Sequence, residues 1–350
     1  MKTRLTLILL VAILPMLVCV GYVFLQLNKS IVLPTESVLY EVTPGTPLTV
    51  VTSDLVARGI VVVPTWMYRL YGTLSQTQGS LKAGEFEITQ SMNAVTLLKK
   101  LRRGPVVQHQ MTFPEGWRFR DWREQLASQP LIRQSINGLS DDEVMALLGD
   151  NQLNPEGQFF PDTYHYVKGE TDIAILRRAH RRMAEALNRA WRNRTDTTLA
   201  SPYEALVLAS IVEKETGFSL DRGKIARVFI NRLEMGMRLQ TDPTVIYGLS
   251  DFDGDLTRSH LRQASAYNTY LNKGLPPTPI CNPGLAAIEA VFAPEPGDYL
   301  FFVAQGDGRS FFSTTLDQHN QAVSKFQRGV RADAYQSAPP TTVPLTKEAP

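Results

Sequence analysis

One run of residues limits what this chain can become. Residues 5–25 contain no charge and follow directly on Lys2 and Arg4. A helix rising about 1.5 Å per residue covers a hydrocarbon core of about 30 Å over such a length. Pro15 lies inside the run, and a membrane helix tolerates one proline. A cleaved signal peptide would carry an apolar stretch of about 7–15 residues and a small-x-small exit. Here the exit reads Gly21-Tyr-Val-Phe-Leu-Gln-Leu27, and Val18 ahead of Cys19 does not suit a lipidation site. The run therefore reads as an uncleaved single-span transmembrane anchor over residues 5–27, with residues 1–4 a cytoplasmic start. Lys2 and Arg4 ahead of the span, against Lys29 behind it, place the body of the chain in the periplasm or extracytoplasmic space.

The remainder has the composition of folded soluble domains. Hydrophobic residues make up 43% of the 350 and charged residues 20%, enough to build sizeable cores. Lys and Arg number 36 against 34 Asp and Glu, a net charge of +2 that argues against a nucleic-acid partner. The two cysteines, Cys19 and Cys281, exclude a disulfide framework and a thiolate zinc site. His109, His165, His180, His260 and His319 show no ligand-type spacing. No Gly-x-Ser-x-Gly elbow or phosphate-binding glycine loop is present. No metal and no cofactor are expected.

Periodicity gives an α+β fold class. Residues 28–46 read as a polar, extended lead-in. Residues 46–104 read as a small module with helices at 49–59, 65–74 and 93–103 and a strand within 82–88. The larger mixed domain covers 105–332. Within it, strands are expected at 106–113, 299–304 and 310–313, and helices at 121–128, 172–193, 202–215, 220–235 and 285–292. Arg177, Arg178, Arg181 and Arg182 read as a solvated helix face. Residues 333–350, with Pro339, Pro340, Pro344 and Pro350, read as a disordered tail.

The helix at 202–215 carries the best candidate for chemistry. On a wheel of about 100° per residue, Glu215 aligns with Glu204, Leu208, Ile211 and Val212, while Glu213 falls about 160° away. A carboxyl on an apolar stripe is desolvated, which raises its pKa and suits a general acid at neutral pH. Spacing alone equally allows Glu215 to be a helix-terminal residue paired with Arg or Lys. Further polar clusters that could line a groove are Asn231-Arg-Leu233, Gln240-Thr-Asp242, Tyr267-Asn-Thr-Tyr270 and the proline-rich 275–279. Tyrosine and asparagine at that density suit carbohydrate, and they equally suit ordinary turns.

Several long motifs occur in one order: Glu156-Gly-Gln-Phe-Phe-Pro-Asp-Thr-Tyr164, Glu213-Lys-Glu-Thr216, Val228-Phe-Ile-Asn-Arg-Leu233 and Gly236-Met-Arg-Leu-Gln-Thr-Asp-Pro-Thr-Val-Ile-Tyr-Gly248. They continue with Tyr267-Asn-Thr-Tyr270, Gly274-Leu-Pro-Pro277 and Asn282-Pro-Gly284. Together they resemble the endolytic murein transglycosylase (MltG, YceG-like) family, from the anchor to about residue 330. The resemblance implies that residues 28–104, with Lys82-Ala-Gly-Glu-Phe86, hold a small LysM-like α/β module, and that 105–332 is the catalytic domain. It implies Glu215 as the catalytic residue. It also implies, as substrate-binding residues, Gln240, Thr241, Asp242, Tyr267, Asn268 and Tyr270.

The implied substrate is the peptidoglycan glycan strand, cut between N-acetylmuramic acid and N-acetylglucosamine to leave 1,6-anhydro ends. Termination of nascent strands at the inner membrane and cell-wall synthesis proteins as partners are implied in the same way. Two other readings remain open from the residues: a membrane-anchored glycan-binding scaffold with an inactive domain, and a conventional hydrolase with Asp242 as second carboxylate.

Overall fold

The computed structural model describes residues 2–61, 63–74 and 81–328. The tail expected at 333–350 lies outside these residues. The chain forms two compact units, one of residues up to 110 together with 165–170, the other of residues 111–164 and those from 171 onward.

The first unit contains α1 (Lys2–Leu27), β1 (Ser37–Val42), α2 (Leu48–Ala57), α3 (Thr65–Leu74), β2 (Gly84–Thr89) and α4 (Ala94–Arg103). β1 and β2 pair antiparallel, with Ser37 opposite Thr89 and Val42 opposite Gly84. Strand alternation sends Tyr40, Val42, Phe86 and Ile88 into a core shared with Leu55, Met67, Leu97 and Leu101. α4 starts at a reciprocal cap: the Thr96 N–H donates to the Asn93 side chain, and the Asn93 N–H donates to the Thr96 hydroxyl. It ends in Lys100, Arg102 and Arg103, which complement the helix dipole.

The lead-in differs from expectation. Ile31 and Leu33 are buried in this core beside Leu27, the Ile31 N–H donates to the Met92 carbonyl at 2.8 Å, and residues 37–42 form β1. Pro34 and Pro44 break the pattern into pieces too short for a period to show in sequence.

α1 carries Pro15, and its described side chains from Leu14 to Leu25 are largely exposed. The side chains of residues 2–13, the first half of the expected span, lie outside the description. Among the described residues no helix is long and apolar enough to cross a membrane.

The remaining elements are β3 (His109–Thr112), α5 (Phe119–Ala127), α6 (Asp141–Leu148), β4 (Thr163–Tyr166), α7 (Asp172–Arg192), α8 (Pro202–Glu215), α9 (Arg222–Glu234), α10 (Asp242–Tyr247), α11 (Leu285–Phe292), β5 (Phe301–Ala304), β6 (Ser310–Ser313) and α12 (Leu316–Val323). β3 pairs with β4, and β5 pairs antiparallel with β6.

α8 is the axis of the second unit. Ser201 caps it, with the Glu204 N–H donating to the Ser201 hydroxyl at 3.2 Å, and Pro202 fills the first turn. Every residue from Ala205 to Val212 is buried. A helix apolar on all sides must be surrounded: α7 contributes Met183 and Leu187, α9 Ile225 and Phe229, and α11 Ile288 and Val291. Cys281 is buried against α8, its thiol on the Ser210 carbonyl at 3.3 Å.

A second, aromatic cluster stacks Phe113 on Trp122 at 3.8 Å and Phe119 on Phe159 at 5.0 Å, drawing residues 154–166 inward. Gly157 has φ of +80°, and a Cβ there would come within 2.6 Å of Pro279. Only glycine meets both demands. Of the arginine run on α7, Arg177 and Arg181 are exposed as expected. Arg182 is exposed as well, while it pairs with Asp162 and covers the Phe160 ring at 5.2 Å; Arg178 is half-buried.

Candidate active site

α8 ends at Glu215 because Thr216 turns to an extended conformation with φ of −149°. The Glu215 side chain leaves the helix at the edge of a cleft of about 520 Å³. Arg232 from α9, and Gln240, Asp242 and Tyr270 from the segments around α10, form the polar side. Phe301, Phe302 and Val303 around β5 and Leu316 and His319 from α12 also line the cleft, together with Arg309 and Ser310 at the start of β6. The His319 ring stacks on Phe301 at 5.3 Å.

The Thr241 hydroxyl donates to Glu215 Oε1. Thr241 is itself fixed on both sides. Its N–H donates to the Thr269 hydroxyl at 3.1 Å, and its carbonyl accepts from the Thr244 hydroxyl at 2.7 Å. These three threonines are almost wholly buried, so the hydroxyls have no competing water.

Burial pushes the Glu215 carboxyl up to about 7, since desolvation disfavours the charged form. The Asp242 charge pushes the same way, while the Thr241 hydrogen bond and the Arg232 charge oppose it. Arg232 is held in place by donating to the Leu300 carbonyl at 2.7 Å and to the Leu239 carbonyl. The result is a carboxyl poised to give or take a proton near neutral pH.

Asp242 is differently placed. Its Oδ1 accepts the Tyr270 hydroxyl at 2.6 Å, which leaves it a hydrogen-bonded acceptor at the helix start. Gln240 has φ of +50° and is the one non-glycine residue with positive φ among the described residues. Strained backbone of this kind persists where the surroundings over-determine it.

Glu215, Gln240, Asp242 and Tyr270 thus come together in one cleft, with Thr241 behind Glu215. Tyr267 and Asn268 do not line it. The Tyr267 hydroxyl bonds to Thr278 at 2.9 Å, and the Asn268 amide is spent on the Leu261 and Gln263 carbonyls. Asn231-Arg-Leu233 lies on α9, within the helix expected at 220–235, and Arg232 reaches the cleft from there. Gly274, Leu275, Pro276 and Pro277 line a separate hollow with Tyr203 and Leu233.

Thr269 falls within the expected Tyr267-Asn-Thr-Tyr270 cluster but acts behind the cleft, on Thr241. Sequence reasoning missed Phe301, Phe302, Leu316 and His319, which have no local signal tying them to residue 215. Glu213 also departs from expectation. The wheel assigned it away from the apolar stripe, but its carboxyl too is largely desolvated. Its Oε2 accepts the Gly284 N–H at 3.0 Å, and burial raises its carboxyl pKa. Among the described residues no group of three or more His, Cys, Asp or Glu side chains is arranged to hold a metal.

The second unit, mixed α+β, thus carries one desolvated, hydrogen-bonded carboxyl, Glu215, in an open cleft that Asp242 also lines. The chain belongs to the YceG-like family, whose model matches residues 40–325. It is 29% identical over 329 residues to the endolytic murein transglycosylase of Bacillus subtilis (strain 168), covering 88% of this chain and 91% of that one. It is 27% identical over 279 residues to the endolytic murein transglycosylase of Streptococcus pneumoniae serotype 2, covering 70% of this chain and half of that one. The crystal structure of a yceG-like protein from Listeria monocytogenes matches with a TM-score of 0.54 and 31% identity, over 82% of this chain and 99% of that one.

Proposed function

We propose that this chain is a membrane-anchored endolytic lytic transglycosylase that cleaves peptidoglycan strands between N-acetylmuramic acid and N-acetylglucosamine. The observation that carries this reading is the Glu215 carboxyl, pushed up to about 7 in the cleft and touched by the Thr241 hydroxyl. The names carried by the Bacillus and Streptococcus relatives support it.

Glu215 first acts as a general acid and protonates the glycosidic oxygen as the C1–O bond breaks. The carboxylate so formed then accepts the proton of the muramic acid C6 hydroxyl, whose oxygen closes on its own C1. The product is a 1,6-anhydro ring and a free N-acetylglucosamine hydroxyl. One carboxyl serves both halves, and the nucleophile is intramolecular, so proximity replaces a second carboxylate. Gln240, Asp242 and Tyr270 bind sugar hydroxyls and amides on the polar side. The Phe301 and Phe302 wall covers a sugar face.

The uncharged run at 5–25 anchors the chain, and the catalytic unit lies outside the cytoplasmic membrane. The order β1-α2-α3-β2 in the first unit supports a LysM-like module that holds glycan. Termination of nascent strands and cell-wall synthesis proteins as partners complete the reading. Mass spectrometry of glycan treated with the purified chain tests it. Anhydro ends are expected; reducing ends would make the protein a hydrolase, and unchanged glycan a binding scaffold.

A further inference from the structure

Glu156 does not line the cleft, yet it is tied to it. The residue is 5% exposed. Its Oε1 accepts the Phe119 N–H at 3.0 Å at the start of α5, and its Oε2 accepts the Tyr247 hydroxyl at 3.1 Å at the end of α10. Its own N–H is held by Asn154 Oδ1 at 2.9 Å. The Tyr247 ring is clamped as well, with Tyr267 at 4.8 Å and the Arg118 guanidinium at 4.8 Å.

α10 has only six residues, a rod of about 9 Å. Tyr247 is its last residue. Asp242 is its first, and Thr241 immediately precedes it. The Thr244 hydroxyl ties the first turn back to the Thr241 carbonyl at 2.7 Å. A rod this short and this well bonded moves as one piece, so what is fixed at Tyr247 is fixed at Thr241.

We infer that Glu156 is a positioning residue: through Tyr247 and α10 it holds the Thr241 hydroxyl on Glu215. This rests on the reading of Glu215 as the acid. A purely structural link between α5 and α10 would be served as well by an apolar pair, since burying a carboxyl is costly. Burial pushes Glu156 up to about 7, aided by Asp121 and opposed by its two donors and Arg118. What the carboxyl supplies that an apolar pair cannot is two directed hydrogen bonds at fixed angles.

The consequence is readable. A hydroxyl donated to a carboxylate favours its charged form. If Thr241 slips, the Glu215 titration moves to higher pH, and the upper-pH limb of kcat/KM moves with it. Full-length protein in detergent, labelled with ¹³C at the glutamate carboxyl, gives the titration directly, with Glu215→Gln assigning the signal. Cleavage kinetics give the limb.

Thr241→Val, Tyr247→Phe and Glu156→Leu are each expected to raise the Glu215 midpoint by about half a unit to one unit. Glu156→Gln keeps it near the original value, because the amide accepts from Phe119 and meets the Tyr247 oxygen with its NH₂. Tyr247→Phe combined with Thr241→Val moves it no further than Thr241→Val alone. An unmoved midpoint in Tyr247→Phe, or full additivity in the double variant, overturns the inference. Tyr247→Phe decides the matter if Glu156→Leu does not fold. A moved midpoint in a protein that cuts no glycan keeps this coupling and sinks the proposed function. Anhydro products with an unmoved midpoint do the reverse.

Discussion

Glu213 and Glu215 sit two residues apart at the end of α8 and hold different partners. Glu213 accepts the Gly284 backbone N–H at 3.0 Å at the start of α11, while Glu215 accepts the Thr241 hydroxyl at the cleft. Both are desolvated, so burial alone does not separate them. What separates them is access: Glu215 opens onto about 520 Å³ of cleft and Glu213 does not.

Glu215→Gln keeps the shape and removes the proton. General acid–base action is worth about 10²–10⁴ in rate, and here one group serves both half-steps, so the loss is expected at or above the upper end. Glu213→Gln still accepts from Gly284 through its amide oxygen and is expected to stay within several-fold of the parent. Release of anhydro-ended glycan by each variant checks this. An active Glu215→Gln beside a dead Glu213→Gln would exchange their roles.

The raised Glu215 pKa also makes a statement about stability. Its folded value, about 7, lies above its ordinary 4.5. The folded chain therefore holds the proton more tightly than the unfolded chain. The contribution to stability is full below about pH 4.5 and is lost as pH rises through about 7. Glu215→Gln removes that loss. Its melting temperature is expected to match the parent at pH 4.5 and to exceed it at pH 8, where equal values would contradict the desolvation argument.

Gln240 pays for its position at φ of +50°. Glycine adopts that conformation without strain, so Gln240→Gly is expected to stabilise the fold by about 1 kcal/mol. Gln240→Ala keeps the strain and loses the side chain. Both are expected to weaken glycan binding, and only the glycine variant to raise the melting temperature. Denaturation midpoints paired with KM distinguish the backbone contribution from that of the side chain.

The anchor reading has a direct test. If residues 5–25 are retained and cross the bilayer, the mature chain keeps its first residues and stays with membranes through a high-salt wash. Recovery of a soluble form beginning near residues 22–30 would show a cleaved signal instead.

Much of the second unit was legible in sequence, for identifiable reasons. α8 and α11 have the bounds their patterns imply, because Pro202 starts one helix and Gly284 precedes the other. α10 stayed hidden because Thr241-Asp-Pro243 reads as a turn, although a proline in the first turn starts a helix as readily as it ends one. α6 carries an open signal, Ser140 with Glu143 three residues on, whose reciprocal bonds form the cap; its short length concealed it. The helical wheel put Glu215 on a desolvated stripe and Glu213 away from the cleft, but it did not foresee that Glu213 is desolvated too, since a wheel presumes one wet face and α8 has none along Ala205–Val212. The part of the cleft lined by β5 and α12 was illegible because β5 packs on α9 and α12 on β5, contacts that no local pattern announces.

Cys281, sealed against the Ser210 carbonyl, has a thiol whose pKa burial raises well above the ordinary value. It is neither ionised nor reachable while the fold is closed, so a modifying reagent must wait for the chain to open. In a Cys19→Ser background the rate of alkylation becomes a stopwatch for the opening of the α8 core. Assembly of that core needs no oxidoreductase, since no sulfur–sulfur bond has to be made or shuffled along the way.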